Sequence, residues 1–442
     1  ASVNPLTTTG DGMTVQASQN EVLRFLGVDN DATNHGWLDD RSRFGFEGIA
    51  SPDRLTVPLA KSGDGHTEGS WGEALGAAAE HLSAVIDEHG AEAVAAIGGA
   101  HGTNEDAYAL ASFMRSAVGS PHLDARLDDG IGTHLLSSLA GKGAIGDLES
   151  AKTVLVWAAD LKEEHPILYL RVRRAAQELG ATLITVHPTG TGLADRATHT
   201  VTYQPGEGHD LLGRLRAGSG NLADVRAALD EGPVVTIVGR TGLTEDPSLA
   251  EAVAAFARDL PQASVLPIVR RANTFGALDM GVAPDLLPGR VAAGDTDHTG
   301  WEDANTGVGL DTRGILEAAV DGRVTALLLV GADPLRDVPD AELAAKALES
   351  VEVVISRDCF LTDSSSKADI VLPALGFAEK EGTVTNLEGR VMKVNRIVAG
   401  PGQSRADWSI LDDLASRMNR PLGFGSAEAI SLAIAEHAPA YG

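Results

Sequence analysis

Six short apolar runs limit what this chain can become. They are AVAAIGG (93–99), TVLVWAAD (153–160), TLITVHP (182–188), VVTIVG (234–239), ALLLVGAD (326–333) and VEVVISRD (351–358). Each is aliphatic or β-branched without polar alternation, and each is followed by a loop and an amphipathic segment. A strand with no polar face must be covered on both sides, and the cover comes from helices that return the chain to the same end of the sheet. HPILYLRVRRAAQELG shows such a crossover: its apolar positions recur at three- and four-residue steps, and a glycine follows the last turn. The chain reads as α/β, with several βα units, parallel sheets and no short-period repeat.

A length of 442 residues predicts about two to three domains. Residues 1–58 are polar and turn-rich, with EVLRFLGVD as one strand, and predict a small β-rich N-terminal unit. Pro58 and the glycines of AKSGDGHTEGSWG lead into a helix at WGEALGAAAEHLSAVIDEHG. A second break falls at GKGAIGDLES, and AAGDTDHTGWEDANTG (292–307) is expected to be a long surface loop. No run of about 18 apolar residues occurs and the polar start is no signal peptide, so a cytoplasmic location is expected. The opening residues ASVNPLTTTGDG read like the middle of a linker in a longer polypeptide.

The net charge of −27 argues against nucleic acid, because polyphosphate would be repelled at long range. There is one cysteine, Cys359, so this chain alone builds no four-cysteine iron–sulfur or zinc site and no internal disulfide. With no histidine close in sequence, Cys359 is expected to pack as a small hydrophobe at a strand end.

Strand ends carry the polar residues that could do chemistry: VWAADLKEEHP, VHPTGTGLADR, VGRTGLTED, VGADPLRD and SRDCFLTDSSSKAD. In open α/β sheets ligands collect at those ends, although Asp, Gly and Pro also serve there as helix caps. The one GxGxxG match, Gly141, Gly143 and Gly146, follows a helix-like stretch and reads as a turn. Neither a P-loop nor HExxH occurs. The densest stretch is ADIVLPALGFAEKEGTVTNLEGRV, with Glu379, Lys380, Glu381, Gly382, Asn386 and Gly389. It could present carboxylates for acid–base work or be a turn-rich loop with self-paired charges, and the residues alone leave both open.

VISRDCFLTDSSSKADIVLPALGFAEKEGTVTNLEGRVMKVNRIVAGPGQSRADWSIL, preceded by VGADPL, resembles the molybdopterin-oxidoreductase family, which shares a D-x-F-x-T…A-D-x-V-L-P…E-x-x-G-T-x-x-N…E-G-R signature. DLKEEHPILYLRVR and HPTGTGLADRATHTVTYQPG are similar to that family's third domain, and residues 21–47 to its small iron–sulfur domain. The resemblance covers about 20–442 and implies domains 1–3 of the formate dehydrogenase/DMSO reductase fold. The implied division is a degenerate iron–sulfur-type unit (1–58), a discontinuous α/β domain II (59–147 and 300–442) and a Rossmann-like domain III (148–299). DLKEEHPILYLRVR, RRANTFGALDMG, TNLEGRV and AGPGQSRADW point within the family to the G-type branch found in bacterial NADH–quinone oxidoreductase (respiratory complex I), actinobacterial type. That branch implies a structural role without pterin. Its implied partners are the other peripheral-arm subunits of complex I, at the inner face of the plasma membrane, with neither nucleic acid nor membrane insertion.

Departures from the family pattern sharpen this expectation. Where the family writes C-D-K-G-R-F, with a cluster-binding cysteine, this chain has Asp39-Asp40-Arg41-Ser42-Arg43-Phe44. A hard carboxylate in place of a soft thiolate makes Asp39 a vacated cluster position, and no metal is expected there. At the family's molybdenum-ligand position stands Asp128, in Leu127-Asp128-Asp129-Gly130. Asp160-Leu161 and His187-Pro188-Thr189 replace the Asn-Pro and Asp-Pro-Arg of pterin binders, while Gly331, Asp333, Asp358, Thr362 and Asp369 are kept. The expectation is a cofactor-free scaffold. The alternative is a molybdenum or tungsten oxidoreductase of formate dehydrogenase or nitrate reductase type, with Asp128 on the metal and molybdopterin guanine dinucleotide in the crevice of Asp160, His187, Gly331, Asp333, Asp358, Thr362 and Asp369. A binding protein for an anionic small molecule is the third possibility.

Overall fold

All six apolar runs are strands. The computed structural model describes residues 2–127, 131–139, 141–242, 245–294, 301 and 304–442. The runs give Val94–Gly98, Thr153–Trp157, Thr182–Val186, Val234–Val238, Ala326–Val330 and Val353–Asp358. Val94–Gly98, Thr153–Trp157, Val234–Val238 and Ala326–Val330 are buried at every position, as a strand covered on both faces must be.

They divide between two sheets. In the seven-stranded sheet the order is Gly65–Glu68, Leu59–Ser62, Ile370–Pro373, Val353–Asp358, Ala326–Val330, Val94–Gly98, Leu123–Asp124. The last five are mutually parallel, and the hairpin Leu59–Ser62/Gly65–Glu68 adds antiparallel strands at one edge. The five-stranded sheet, wholly parallel, runs His199–Val201, Thr182–Val186, Thr153–Trp157, Val234–Val238, Ser264–Pro267. Strands entering the first sheet thus come from both sides of the second in sequence. Numbered along the chain, the parallel strands of the first sheet lie second, first, third, fourth, fifth, and those of the second lie third, second, first, fourth, fifth. Each order reverses once beside its first strand. There the connections depart to opposite faces and leave a crevice at the strand C-termini.

Helix Trp71–His89 starts at a capping box, in which Ser70 accepts from the Glu73 amide and Glu73 accepts from the Ser70 amide. Its buried residues Trp71, Ala74, Leu75, Ala78, Leu82 and Val85 follow helical spacing and pack in the core of the first sheet. Burying each large aliphatic side chain contributes about 1.5–3 kcal/mol. Asn104–Ser112 is buried along its whole length.

A three-stranded antiparallel sheet, Ser2–Val3, Gly12–Ser18 and Glu21–Gly27, forms the N-terminal unit. Its core of Met13, Val15, Val22, Phe25 and Leu38 closes against Ala378 and Val398 from the far end of the chain. Phe25 meets Phe377 edge to face at 6.0 Å. The dense C-terminal stretch is a hairpin, Gly382–Thr385 with Val391–Val394, turned at Asn386, whose Oδ1 accepts from the Glu388 and Arg390 amides. One loop expectation is corrected within 292–307. Trp301 is buried, edge to face with Tyr108 at 6.0 Å, because so large an apolar ring lowers the free energy more by packing than by exposure. Among the described residues no helix is long and apolar enough to cross a membrane.

Candidate functional site

A cavity of about 450 Å3 opens at the C-terminal ends of the first sheet's strands. It stands at the point where the strand order reverses, between Val94–Gly98 and Ala326–Val330. The two strands close tightly there: Gly98 has φ +115°, and a Cβ on it would overlap the Val330 carbonyl. The Gly99 amide donates to that carbonyl at 2.8 Å. The floor comes from the strand ends and the loops after them and carries His101, Gly331, Asp333, Arg357 and Asp358. The outer wall is apolar and comes largely from the N-terminal unit, through Pro5, Leu6, Phe25 and Ile49.

Every cation lining this cavity is committed to a carboxylate. Arg54 makes a two-pronged pair with Glu379, at 2.9 and 2.7 Å, with both side chains at most 3 % exposed. Glu379 also accepts from the Gly376 amide at 2.7 Å. Lys380 bridges Asp106 at 2.6 Å and Asp407 at 2.5 Å, and Asp407 also pairs with the Arg357 Nε. Burial by itself would raise the Asp106 carboxyl, but Lys380 and then Arg357 outweigh it and hold Asp106 below its ordinary value. Behind the floor, Arg271 lies 3.6 Å from Asp337.

His101 differs. Its side chain is open to the cavity yet ringed by protein, and it makes no hydrogen bond among the described residues. Desolvation, followed by Arg271, pushes the imidazole down to about 4, so it is neutral at physiological pH. Burial pushes the Cys359 thiol up, and its Sγ donates to the Ala374 carbonyl at 3.6 Å, a protonated and unreactive state. Burial likewise raises Asp358, whose carboxylate accepts from the Cys359 amide.

Gly331, Asp333, Asp358 and Thr362 come together on the lining of this cavity. Asp333 accepts from the Ser364 amide and hydroxyl, tying two strand-end loops. Asp369 is not with them. It precedes strand Ile370–Pro373 at the opposite end of the sheet, where it accepts from the Val354 amide at 2.8 Å. Asp160 and His187 sit at strand ends of the other sheet. Asp160 caps helix Leu161–Glu164 and accepts from the Gly192 amide, and His187 is held by Thr189 and Thr241. Neither is on the lining of this cavity. Asp128 lies outside the described residues.

Asp39 caps helix Asp40–Phe44 by accepting from the Ser42 amide and hydroxyl. Ser42 in turn accepts from Asn4, and Asn4 donates to Asp11 at 2.9 Å and to Thr7 at 3.3 Å. Thr7 and Thr9 also donate to Asp11, whose fully buried carboxyl is raised by burial. A knot of side-chain hydrogen bonds thus gathers Asn4, Thr7, Asp11 and Asp39. Positions 4, 7 and 11 have the steps of three and four residues used by cluster cysteines, a signal present in the sequence but invisible without the cysteines. Arg54, Arg357, Asp106 and Asp407 had no such signal, since their partners lie up to 325 residues away, whereas His101 was marked in sequence only by its place near a strand end.

Two other features stand apart. A hollow of about 540 Å3 runs along the edge strand His199–Val201, where Glu207, Asp210 and Arg214 meet solvent away from the strand ends. Asp29, Asp31 and His35 bring three ligand atoms within 4.8 Å of one another on the surface, where His35 already hydrogen-bonds Arg174.

The family model described as molybdopterin oxidoreductase matches residues 54–417. The NADPH-Fe(3+) oxidoreductase subunit alpha of Geobacter sulfurreducens is 31 % identical over all of this chain and 58 % of its own length. The G subunit of NADH-quinone oxidoreductase from Streptomyces coelicolor is 31 % identical over 91 % of this chain and 51 % of its own. The F420-dependent formate dehydrogenase 2 subunit alpha of Methanococcus maripaludis is 29 % identical over 99 % and 73 %. The chain therefore spans little more than half the length of the first two relatives. Among solved structures, acetylene hydratase from Pelobacter acetylenicus superposes with a TM-score of 0.65 at 15 % identity, covering 99 % of this chain and 72 % of that one.

Proposed function

This chain belongs to the molybdopterin oxidoreductase family, and from that membership we propose that it is a cofactor-free scaffold region within a G-type component of an NADH–quinone oxidoreductase. The observation that carries the reading is the closed charge balance of the crevice. A pterin dinucleotide brings a diphosphate, which cations free to meet it would stabilise most. Arg54, Arg357 and Lys380 are each already held by Glu379, Asp407 or Asp106. The domain III positions Asp160 and His187 are bonded to their own loops and are not on the lining that holds Gly331, Asp333, Asp358 and Thr362. These residues do not fit the cofactor. The polar knot at Asn4, Thr7, Asp11 and Asp39 supports the same reading for the N-terminal unit, where hydrogen bonds do the cross-linking that a cluster would otherwise do.

The work left to such a chain is docking. It holds the other peripheral-arm subunits together, at the inner face of the plasma membrane, while electrons pass through neighbours. Metal analysis and visible absorption of the purified protein test this. Sub-stoichiometric molybdenum, tungsten and iron with a colourless spectrum are expected, and one molybdenum or tungsten per chain would overturn it. The second reading is a catalytic region of formate dehydrogenase type with Asp128 on the metal. It is favoured by the likeness to oxidoreductase alpha subunits and by the convergence of Gly331, Asp333, Asp358 and Thr362. The same assay separates the two.

A further inference from the structure

We infer that the open edge of the five-stranded sheet, along His199–Val201, is a docking site for an extended, lysine- or arginine-bearing segment of another protein, which joins the sheet there as a further strand. The inference does not rest on the cofactor-free reading, because the hollow at this edge shares no described lining residue with the switch-point cavity.

The two edges of this sheet differ. Ser264–Pro267 is buried at all four positions, whereas Thr198, Thr200 and Thr202 at the other edge are exposed. In the parallel pairing with Thr182–Val186, the Val201 carbonyl accepts from the His187 amide. A parallel ladder alternates, so the residue before Val201 turns its N–H and C=O the other way, out of the sheet. Thr200 therefore offers one donor and one acceptor to a new neighbour.

Proteins commonly blunt such an edge with lysine, proline or a covering element. Here the stretch from Thr198 to Gln204 reads THTVTYQ, without lysine or proline and rich in residues that favour strands. Nor do the described residues cover it. A hollow of about 540 Å3 follows the edge, and its lining runs without a break from Thr198 to Gln204. Leu211, Leu222 and Val225, from helix Gly208–Ala217 and the segment after it, give the hollow an apolar strip. An incoming strand lies about 4.8 Å from the edge and sends alternate side chains to opposite faces, one set toward that strip and the other toward solvent.

Charge names the partner. The charged groups on the lining are Glu207, Asp210 and Arg214, and Arg214 lies 3.9 Å from Asp210. His199 is the other side chain there that can take up a proton, while Tyr203 donates its hydroxyl to Glu245 at 2.7 Å. Carboxylates outnumber the guanidinium, and the net charge of −27 has the same sign at long range. A second copy of this chain brings the same acids and is repelled. A strand with lysine or arginine at its solvent-side positions meets Glu207 and Asp210 favourably.

The probe is a short fluorescent peptide of alternating valine and lysine, acetylated and amidated, titrated into the full chain and followed by anisotropy. Saturable one-to-one binding is expected. The same peptide N-methylated at its central amides keeps every side chain and charge but loses donors, and should bind at least about tenfold more weakly. The version with glutamate for lysine should not bind. Thr200→Pro removes the outward N–H and leaves the Val201 bond to the sheet in place. It should weaken the lysine peptide about tenfold while melting as the parent does. Glu207→Lys with Asp210→Lys should reverse the preference toward the glutamate peptide, and this variant decides the matter if the proline variant melts early. Absence of saturable binding, equal binding of the N-methylated peptide, or an unchanged preference after charge reversal would each overturn the inference. So would a dimer of the parent in sedimentation that Thr200→Pro dissociates, since the edge would then serve a second copy. One molybdenum per chain would overturn the scaffold reading alone.

Discussion

Arg54 and Glu379 lie 325 residues apart in sequence and form the most enclosed ion pair at the cavity. Taking two charges out of water is costly, and here the cost is offset by two short hydrogen bonds plus a backbone donor to Glu379 and carbonyl acceptors for Arg54. Breaking such a pair is worse than removing it. Glu379→Ala strands a buried guanidinium and should lower stability by about 3–5 kcal/mol in urea unfolding. The double change Arg54→Leu with Glu379→Leu should cost much less, and an equal loss in both would show that the pair itself stabilises the fold. At this scale the sequence offered the Glu379–Lys380 stretch as either an acid–base site or a self-paired loop. The structure gives a third outcome: both residues pair with distant partners, and only Glu388 with Arg390, at 3.0 Å, pairs within the stretch.

Helix Asp40–Phe44 shows how an element depends on one side chain. Five residues are far too few for a helix to be stable alone, so its cap and its packing must hold it. Asp39 supplies the cap, placing a carboxylate at the positive end of the helix. Asp39→Ala should cost about 1 kcal/mol. It should also speed amide exchange at residues 40–44 while exchange in the central strands stays slow. Uniform acceleration across the chain would contradict a local role. The acid pair at 39–40 was legible as a departure from the family pattern. That its carboxylate joins a knot with Asn4, Thr7 and Asp11 was not, because those residues are ordinary turn formers in sequence.

Across the whole molecule, acid stability turns on groups buried in the neutral form. His165 is 3 % exposed, begins helix Pro166–Gln177, and leaves Nδ1 without a hydrogen-bond partner among the described residues. Desolvation, with help from Arg41 and Arg270, pushes it down to about 4 from an ordinary value of 6.5. Above pH 6.5 the ring is neutral in both folded and unfolded chains and costs nothing. Between 6.5 and 4 the unfolded chain takes up a proton that the folded one refuses, so stability falls as pH falls through that window. The loss should reach at most about 3 kcal/mol, and His165→Phe should remove it. The net charge of −27 adds its own pH dependence, so the test is the difference between parent and variant urea midpoints at pH 7 and pH 4.5. A difference that does not change with pH would refute the assignment.

The strand set and fold class were written in the sequence, because burial on both faces demands uninterrupted apolar runs and local composition records that demand. So were the family and the missing sulfur ligands, which are facts of residue identity. Which strand ends share a cavity was decided only by tertiary structure. Strand order in a parallel sheet is set by crossover connections, and these place Gly331, Asp358 and His101 together while sending Asp369 to the far edge and Asp160 and His187 to another sheet. Charge pairing was decided there too. Coulomb energy depends on distance in space, and residues hundreds of positions apart carry no mark of the partner that will neutralise them.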